Sequence, residues 1–141
     1  MGGRLYITGE RGHVWSLDPD TDRFIAGQAG YEGTLFGLTG SEGALLVYGL
    51  RGHVFRSADQ GRTWSSVKNE FKTGVVAGAA LSGHGVVLVS QSAQVATSRD
   101  QGATFTPLEI QRPSLFTGVV GVSSDQLALV GLNGVTTLNL K

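Results

Sequence analysis

The chain has 141 residues, and its 11 basic and 11 acidic side chains cancel to zero formal charge. This argues against a nucleic-acid binder, which normally carries a basic patch to displace counterions. It has no cysteine, so a disulfide framework and a cysteine-ligated zinc site are excluded. Twenty-two glycines against three prolines fit one domain of many short strands and tight turns, long enough to bury a core.

Taken in chain order, the predicted elements are all strands. No charged-then-apolar segment precedes the strand-like Leu5-Tyr-Ile-Thr8, so no signal peptide is read in this chain. After the turn Arg11-Gly12 comes an alternating strand, His13-Val-Trp-Ser16. Asp18, Asp20 and Asp22 then mimic the opening of a calcium loop, but Arg23 stands where glycine is needed and Ala29 where a bidentate Glu is needed. A turn is the better reading, and no metal site is expected.

The second unit runs from a small apolar strand, Thr34 to Thr39, to a hydrophobic one, Ala44 to Tyr48. The turn Arg51-Gly52 leads into His53 to Ser57, and Trp64 to Val67 forms an outer strand. A third unit repeats the order at Gly74 to Ala79, Val86 to Val89, Gln94 to Ser98 and Phe105 to Leu108. A fourth supplies Leu115 to Val120, Leu127 to Val130 and Val135 to Leu138. Continuous apolar runs such as Val86 to Val89 mean burial on both faces. Pro107 fits only a strand with an unpaired edge. The stretch from Thr73 to Ser98 has no charge, yet its glycines, His84, two glutamines and serines make it too polar and too punctuated for a membrane span.

The units recur with a fixed period. Ser57-Ala-Asp59-Gln-Gly61-Arg-Thr63-Trp64 returns 41 residues later as Ser98-Arg-Asp100-Gln-Gly102-Ala-Thr104-Phe105, and Ser16-Leu-Asp18 is a weaker copy 41 residues upstream. A period of about 40 to 50 residues suits one propeller blade of four strands. Within the motif, Asp59 and Asp100 are suited to accept bonds from the backbone of their own turn, and Ser57 and Ser98 to tie its two sides. Gly61 and Gly102 permit positive φ, and Trp64 and Phe105 bury their rings against the sheet.

The pattern S-x-D-x-G-x-T-W resembles the Asp-box of BNR-type β-propellers. The fold class expected is therefore all-β: a propeller segment of four-stranded antiparallel blades, two complete and two partial. It forms a single unit over residues 1–141 with repeats near 1–30, 31–70, 71–111 and 112–141. Since a ring uses roughly four to eight blades, either of two readings applies. The chain is a piece of a six- to eight-bladed protein, or it is a half-propeller that closes as a homodimer. The open sides of its first and last blades are expected to expose Leu5, Ile7, Leu127, Leu129 and Val130 and to drive self-association.

Function is read from faces and loops. Arg11-Gly12-His13-Val14 returns as Arg51-Gly52-His53-Val54, 40 residues on. These turns share one end of a propeller with the inter-blade loops that carry Phe71, Lys72 and Arg112. Arg11, His13, Arg51, His53, Phe71, Lys72 and Arg112 are the candidate face for a protein partner. The blade pattern G-x-x-G-x-V followed by S-x-D-x-G-x-T-W resembles the photosystem II assembly and stability factor-like group. Gly9-Glu-Arg-Gly12-His-Val14 and Gly49-Leu-Arg-Gly52-His-Val54 match it. That resemblance implies a non-catalytic scaffold without a cofactor. The group also includes many exported bacterial proteins, which extends the reading to an exported or periplasmic parent. Sialidases also carry Asp-boxes, and the resemblance implies for them an arginine cluster, a tyrosine nucleophile and acidic partners on inner strands. The inner strands here hold Thr34, Phe36, Thr39 and Thr117 with no Arg, Tyr or carboxylate, so no catalytic residue is assigned. A sialidase-like fragment whose catalytic residues lie elsewhere is the alternative.

Overall fold

A computed structural model describes residues 3–140. Fourteen strands form four antiparallel sheets among these residues, taken up strictly in chain order. The first holds β1 (Tyr6–Thr8), β2 (His13–Asp18) and β3 (Arg23–Gln28). The second holds β4 (Leu35–Ser41), β5 (Ala44–Gly49), β6 (Val54–Ser57) and β7 (Ser65–Ser66). β8 (Val75–Leu81), β9 (Gly85–Ser90), β10 (Val95–Ser98) and β11 (Thr106–Leu108) make the third. β12 (Phe116–Gly121), β13 (Gln126–Gly131) and β14 (Gly134–Asn139) make the fourth.

The sheets pack face to face in sequence, with β8 lying between β4 and β12. Every residue of β5 and of β9 is buried, as a strand with a neighbouring sheet on both sides requires. Cross-strand register and the alternation of side chains divide each sheet into two faces. Leu46, Tyr48 and Val54 of the second sheet pack on Val86 and Leu88 of the third. Val87, Val89 and Val95 on the other face of the third sheet pack on Leu127 and Leu129 of the fourth.

The alternation also corrects one expectation. Leu127 and Leu129 are not on an open side; both are fully buried, 0% exposed, against the third sheet. On the opposite face of this sheet Val120, Val130 and Val135 point outward at 53%, 42% and 69% exposure. The outer strands also differ from expectation. β7 keeps only Ser65–Ser66, and Trp64, just before it, packs on the cluster that contains Val14, Val47 and Phe55. Pro107 sits in β11, at the edge of the third sheet. No helix among the described residues is long and apolar enough to cross a membrane.

Candidate functional site

Antiparallel connectivity places the β1–β2 and β5–β6 turns at the same end of the sheets as the loops linking each sheet to the next. Arg11 and Arg51 occupy equivalent corners there, both with left-handed backbone, φ 54° and 59°. Gly12 and Gly52 follow each arginine. Both are buried against the next inter-sheet loop: a Cβ on Gly12 would collide with the Tyr31 carbonyl, and one on Gly52 would lie 2.8 Å from the Phe71 carbonyl. The chain approaches so closely that only glycine fits.

The Arg11 corner is pinned by Gly12 N–H donating to the Gly33 carbonyl at 2.8 Å, and the later turns by one backbone bond that recurs. Leu50 N–H donates to the Thr34 carbonyl at 3.0 Å, Gln91 N–H to Gly74 at 2.8 Å and Leu132 N–H to Leu115 at 3.3 Å. Each ties the second-to-third-strand turn to the entry of its own sheet's inner strand. Amide side chains clamp the loops further. Gln28 Nε2 donates to the Arg11 carbonyl at 2.7 Å. Asn69 Nδ2 donates to the Gly52 carbonyl at 3.0 Å, and its Oδ1 accepts from Phe71 N–H at 2.9 Å. In the third sheet Gln94 Oε1 accepts from Lys72 N–H at 2.7 Å, and its Nε2 donates to the Glu70 carbonyl at 3.1 Å. Gln28, Asn69 and Gln94 are not recognisable as loop clamps from the sequence. Their partners are main-chain atoms of distant loops, which leave no trace in residue type.

The two histidines differ in setting. His13 lies over Trp15 with ring centroids 5.2 Å apart, and its Nδ1 lies 2.9 Å from the Glu10 carbonyl. That carbonyl only accepts, so Nδ1 carries the proton. His53 packs against Tyr31 at 4.2 Å and against Phe55 at 6.1 Å. Both rings are thus laid on aromatic neighbours in the sheet wall. Phe71 is half-buried and packs on the cluster containing Leu46, Val54 and Val75. Arg11, Arg51, Lys72 and Arg112 are exposed, and their charged groups have no hydrogen-bond or ion-pair partner among the described residues. The same end also carries Lys68 and four carboxylates, Glu10, Glu32, Glu70 and Glu109, so it is densely charged and mixed in sign.

Strongly held carboxylates lie at the opposite end, in the turns between third and fourth strands. Asp59 accepts from the Thr63 hydroxyl and from Thr63 N–H at 2.8 Å, and the Ser57 hydroxyl donates to it at 2.7 Å. Asp100 repeats this with the Thr104 hydroxyl at 2.6 Å, the Ser98 hydroxyl at 2.7 Å and Thr104 N–H at 2.9 Å. These bonds, the threonine hydroxyl's first, hold both carboxyls down to a pKa of about 2. The serine hydroxyls accept in turn from Gly61 N–H and Gly102 N–H, each at 2.8 Å. Asp18 is lowered as well, chiefly by the Asp20 N–H. Ser16 does not share this geometry: it pairs with Tyr6, while Ser57 pairs with Leu45 and Leu17 N–H bonds Leu5. Leu17 therefore stands where the serine stands in the other two copies. No cluster of three or more His, Asp or Glu that could hold a metal exists among the described residues.

No family model and no curated protein matches the sequence. Solved structures match its shape. The WD40 β-propeller domain of Doa1 superposes with a TM-score of 0.76 over 99% of this chain, at 8% identity. A structure of YCF48 bound to D1 peptide gives 0.73 over 96% at 10% identity. The chain spans only 48% and 46% of those two proteins. The computationally designed Ika4 protein gives 0.76 at 13% identity, covering 98% of this chain and 86% of that one. At these identities the likeness shows the fold alone: the chain is an all-β arc of propeller blades.

Proposed function

We propose that the chain is a non-catalytic scaffold that binds a protein partner at the end bearing Arg11, Arg51, Lys72 and Arg112. One observation carries this reading. These cations project without partners among the described residues, and the backbones at Arg11, Arg51 and Lys72 are held by hydrogen bonds at or beside each residue. A side chain on a rigid corner loses little further freedom on binding, which favours specific recognition. Membership of the Asp-box class, near the photosystem II assembly and stability factor-like group, fits this role. It is supported by the hydroxyl–carboxylate turns of Ser57–Thr63 and Ser98–Thr104 and by the shared fold of the YCF48 structure. The charges at this end are mixed, so the partner surface is itself mixed rather than simply acidic.

The test is affinity purification from source cells with the wild type and with Arg11, Arg51, Lys72 and Arg112 all changed to Ala. A protein retained by the wild type, lost by this variant and kept when Arg62 and Arg99 at the opposite end are changed to Ala supports the reading. Retention by all three would overturn it. A panel of fluorogenic sialosides and glycosides should show no turnover; activity abolished by replacing one carboxylate would instead establish a glycosidase.

A further inference from the structure

We infer that two copies of this chain join head to tail, each closing the other's arc into one ring. The inference goes beyond the partner-binding reading and rests on different surfaces, the two outermost sheet faces. One bears Leu5, Ile7 and Phe24, exposed at 59%, 47% and 46%; the other bears Val120, Val130 and Val135. Contiguous apolar surface of this kind marks an interaction site.

The molecule itself shows what fits each face. In the register, Val86 and Leu88 stand where Leu127 and Leu129 stand one sheet later, and where Leu45 and Val47 stand one sheet earlier. Leu5 and Ile7 hold the same places in the first sheet, opposite Leu17 and Trp15. Likewise Val130 and Val135, paired with each other, correspond to Val89 and Val95. Inside the chain, the Val89–Val95 face packs on the Leu127–Leu129 face. The open end of the fourth sheet is thus one half of an interface the protein builds internally, and the open end of the first sheet is the other half. A second copy brings both halves at once. The contact is heterologous and is made twice, so it closes only if the blade-to-blade rotation completes a circle. Two copies give eight sheets, within the roughly four to eight blades of closed propellers. The Doa1 and YCF48 chains, of which this chain covers 48% and 46%, are likewise about twice its length.

The experiment is sedimentation velocity on the 141-residue chain at tens of micromolar. The expected species has twice the 14.7 kDa chain mass. Ile7→Lys and Val130→Asp, each at an exposed position, should each sediment as a monomer. Mixed in equal amounts they should recover the dimer, because one altered pair and one native pair of faces remain. Near-UV circular dichroism of the tryptophans checks that the variants are folded; Leu5→Lys and Val135→Asp repeat the test at the same two faces if they are not. A monomeric wild type, or assemblies that grow with concentration, would overturn the closed pair. So would a dimer that survives Val130→Asp, or a mixture that stays monomeric, since either means like faces pair or none do. Partner capture at the loop end is read separately and stands or falls independently.

Discussion

Arg56 Nε donates to the carbonyl oxygen of Gln101 at 2.9 Å, joining the third strand of one sheet to the third-to-fourth-strand turn of the next. One sheet earlier, Tyr6 hydroxyl donates to the carbonyl of Gln60 at 3.1 Å. Gln60 and Gln101 both have left-handed backbone, φ 63° and 60°, which turns their carbonyls outward toward the preceding sheet. The hydroxyl–carboxylate turns therefore act between blades as well as within them.

Arg56→Ala should lower stability by about 2 kcal/mol, since a hydrogen bond from a charged donor is worth roughly 1.5–3 kcal/mol and this one is partly buried. Urea denaturation followed by tryptophan fluorescence gives the number. Arg56→Lys should recover little of it, because an ammonium does not reproduce the geometry of Nε.

The turn carboxylates should make stability fall in acid. Asp59 and Asp100 have pKa values of about 2 in the fold against 3.8 for the free side chain. Depressed folded values mean the contribution is fully present above the unfolded pKa and is lost as pH falls through the folded one. The melting temperature should thus be level down to about pH 4, as far as these two groups set it, and decline between about pH 4 and 2. Asp100→Asn should melt lower than wild type at pH 7 and converge with it near pH 2.

The two turn glycines should differ. Gly61 and Gly102 share positive φ, +87° and +80°, so alanine costs roughly 1–2 kcal/mol of backbone strain at either. A Cβ at 61 meets nothing nearer than 3.5 Å, whereas one at 102 would lie 2.5 Å from Leu46 Cδ2, a fully buried side chain. Gly102→Ala therefore adds an overpacking cost of about 1–3 kcal/mol. Equal denaturation midpoints for the two variants would contradict this.

Trp64 buries its indole Nε1 with no hydrogen-bond partner among the described residues. Phe105 holds the same place in the next repeat without such a donor. Trp64→Phe should stay within about 1 kcal/mol of wild type, as relief of an unsatisfied donor offsets lost ring area. Trp64→Ala should cost about 3 kcal/mol. Circular dichroism melts of the two variants make the comparison without relying on the lost fluorophore.

The architecture was legible because every element repeats its chemistry: Ser57, Asp59 and Gly61 predict the same turn as Ser98, Asp100 and Gly102, and apolar runs predict doubly covered strands. Direction within a strand was not legible. Leu127, Leu129 and Val130 are equally apolar, and only the pairing register decides which of them meets the third sheet. The same limit applies to Ser16, whose sequence alignment with Ser57 is one residue out of step with its pairing. Arg11 and Arg51 were legible as a recurring corner; the amides that lock those corners were not, because they bind main-chain carbonyls and N–H groups.

Among the described residues the main contacts of each sheet are with the one before and the one after it. In such a linear stack a central element is held from two sides and an end element from one. Amide exchange should therefore be slowest in β5 and β9 and fastest in β3 and β14, with loss of order advancing inward from both ends. A ring has no ends, so closing it would remove this gradient and turn a progressive unravelling into a single concerted event.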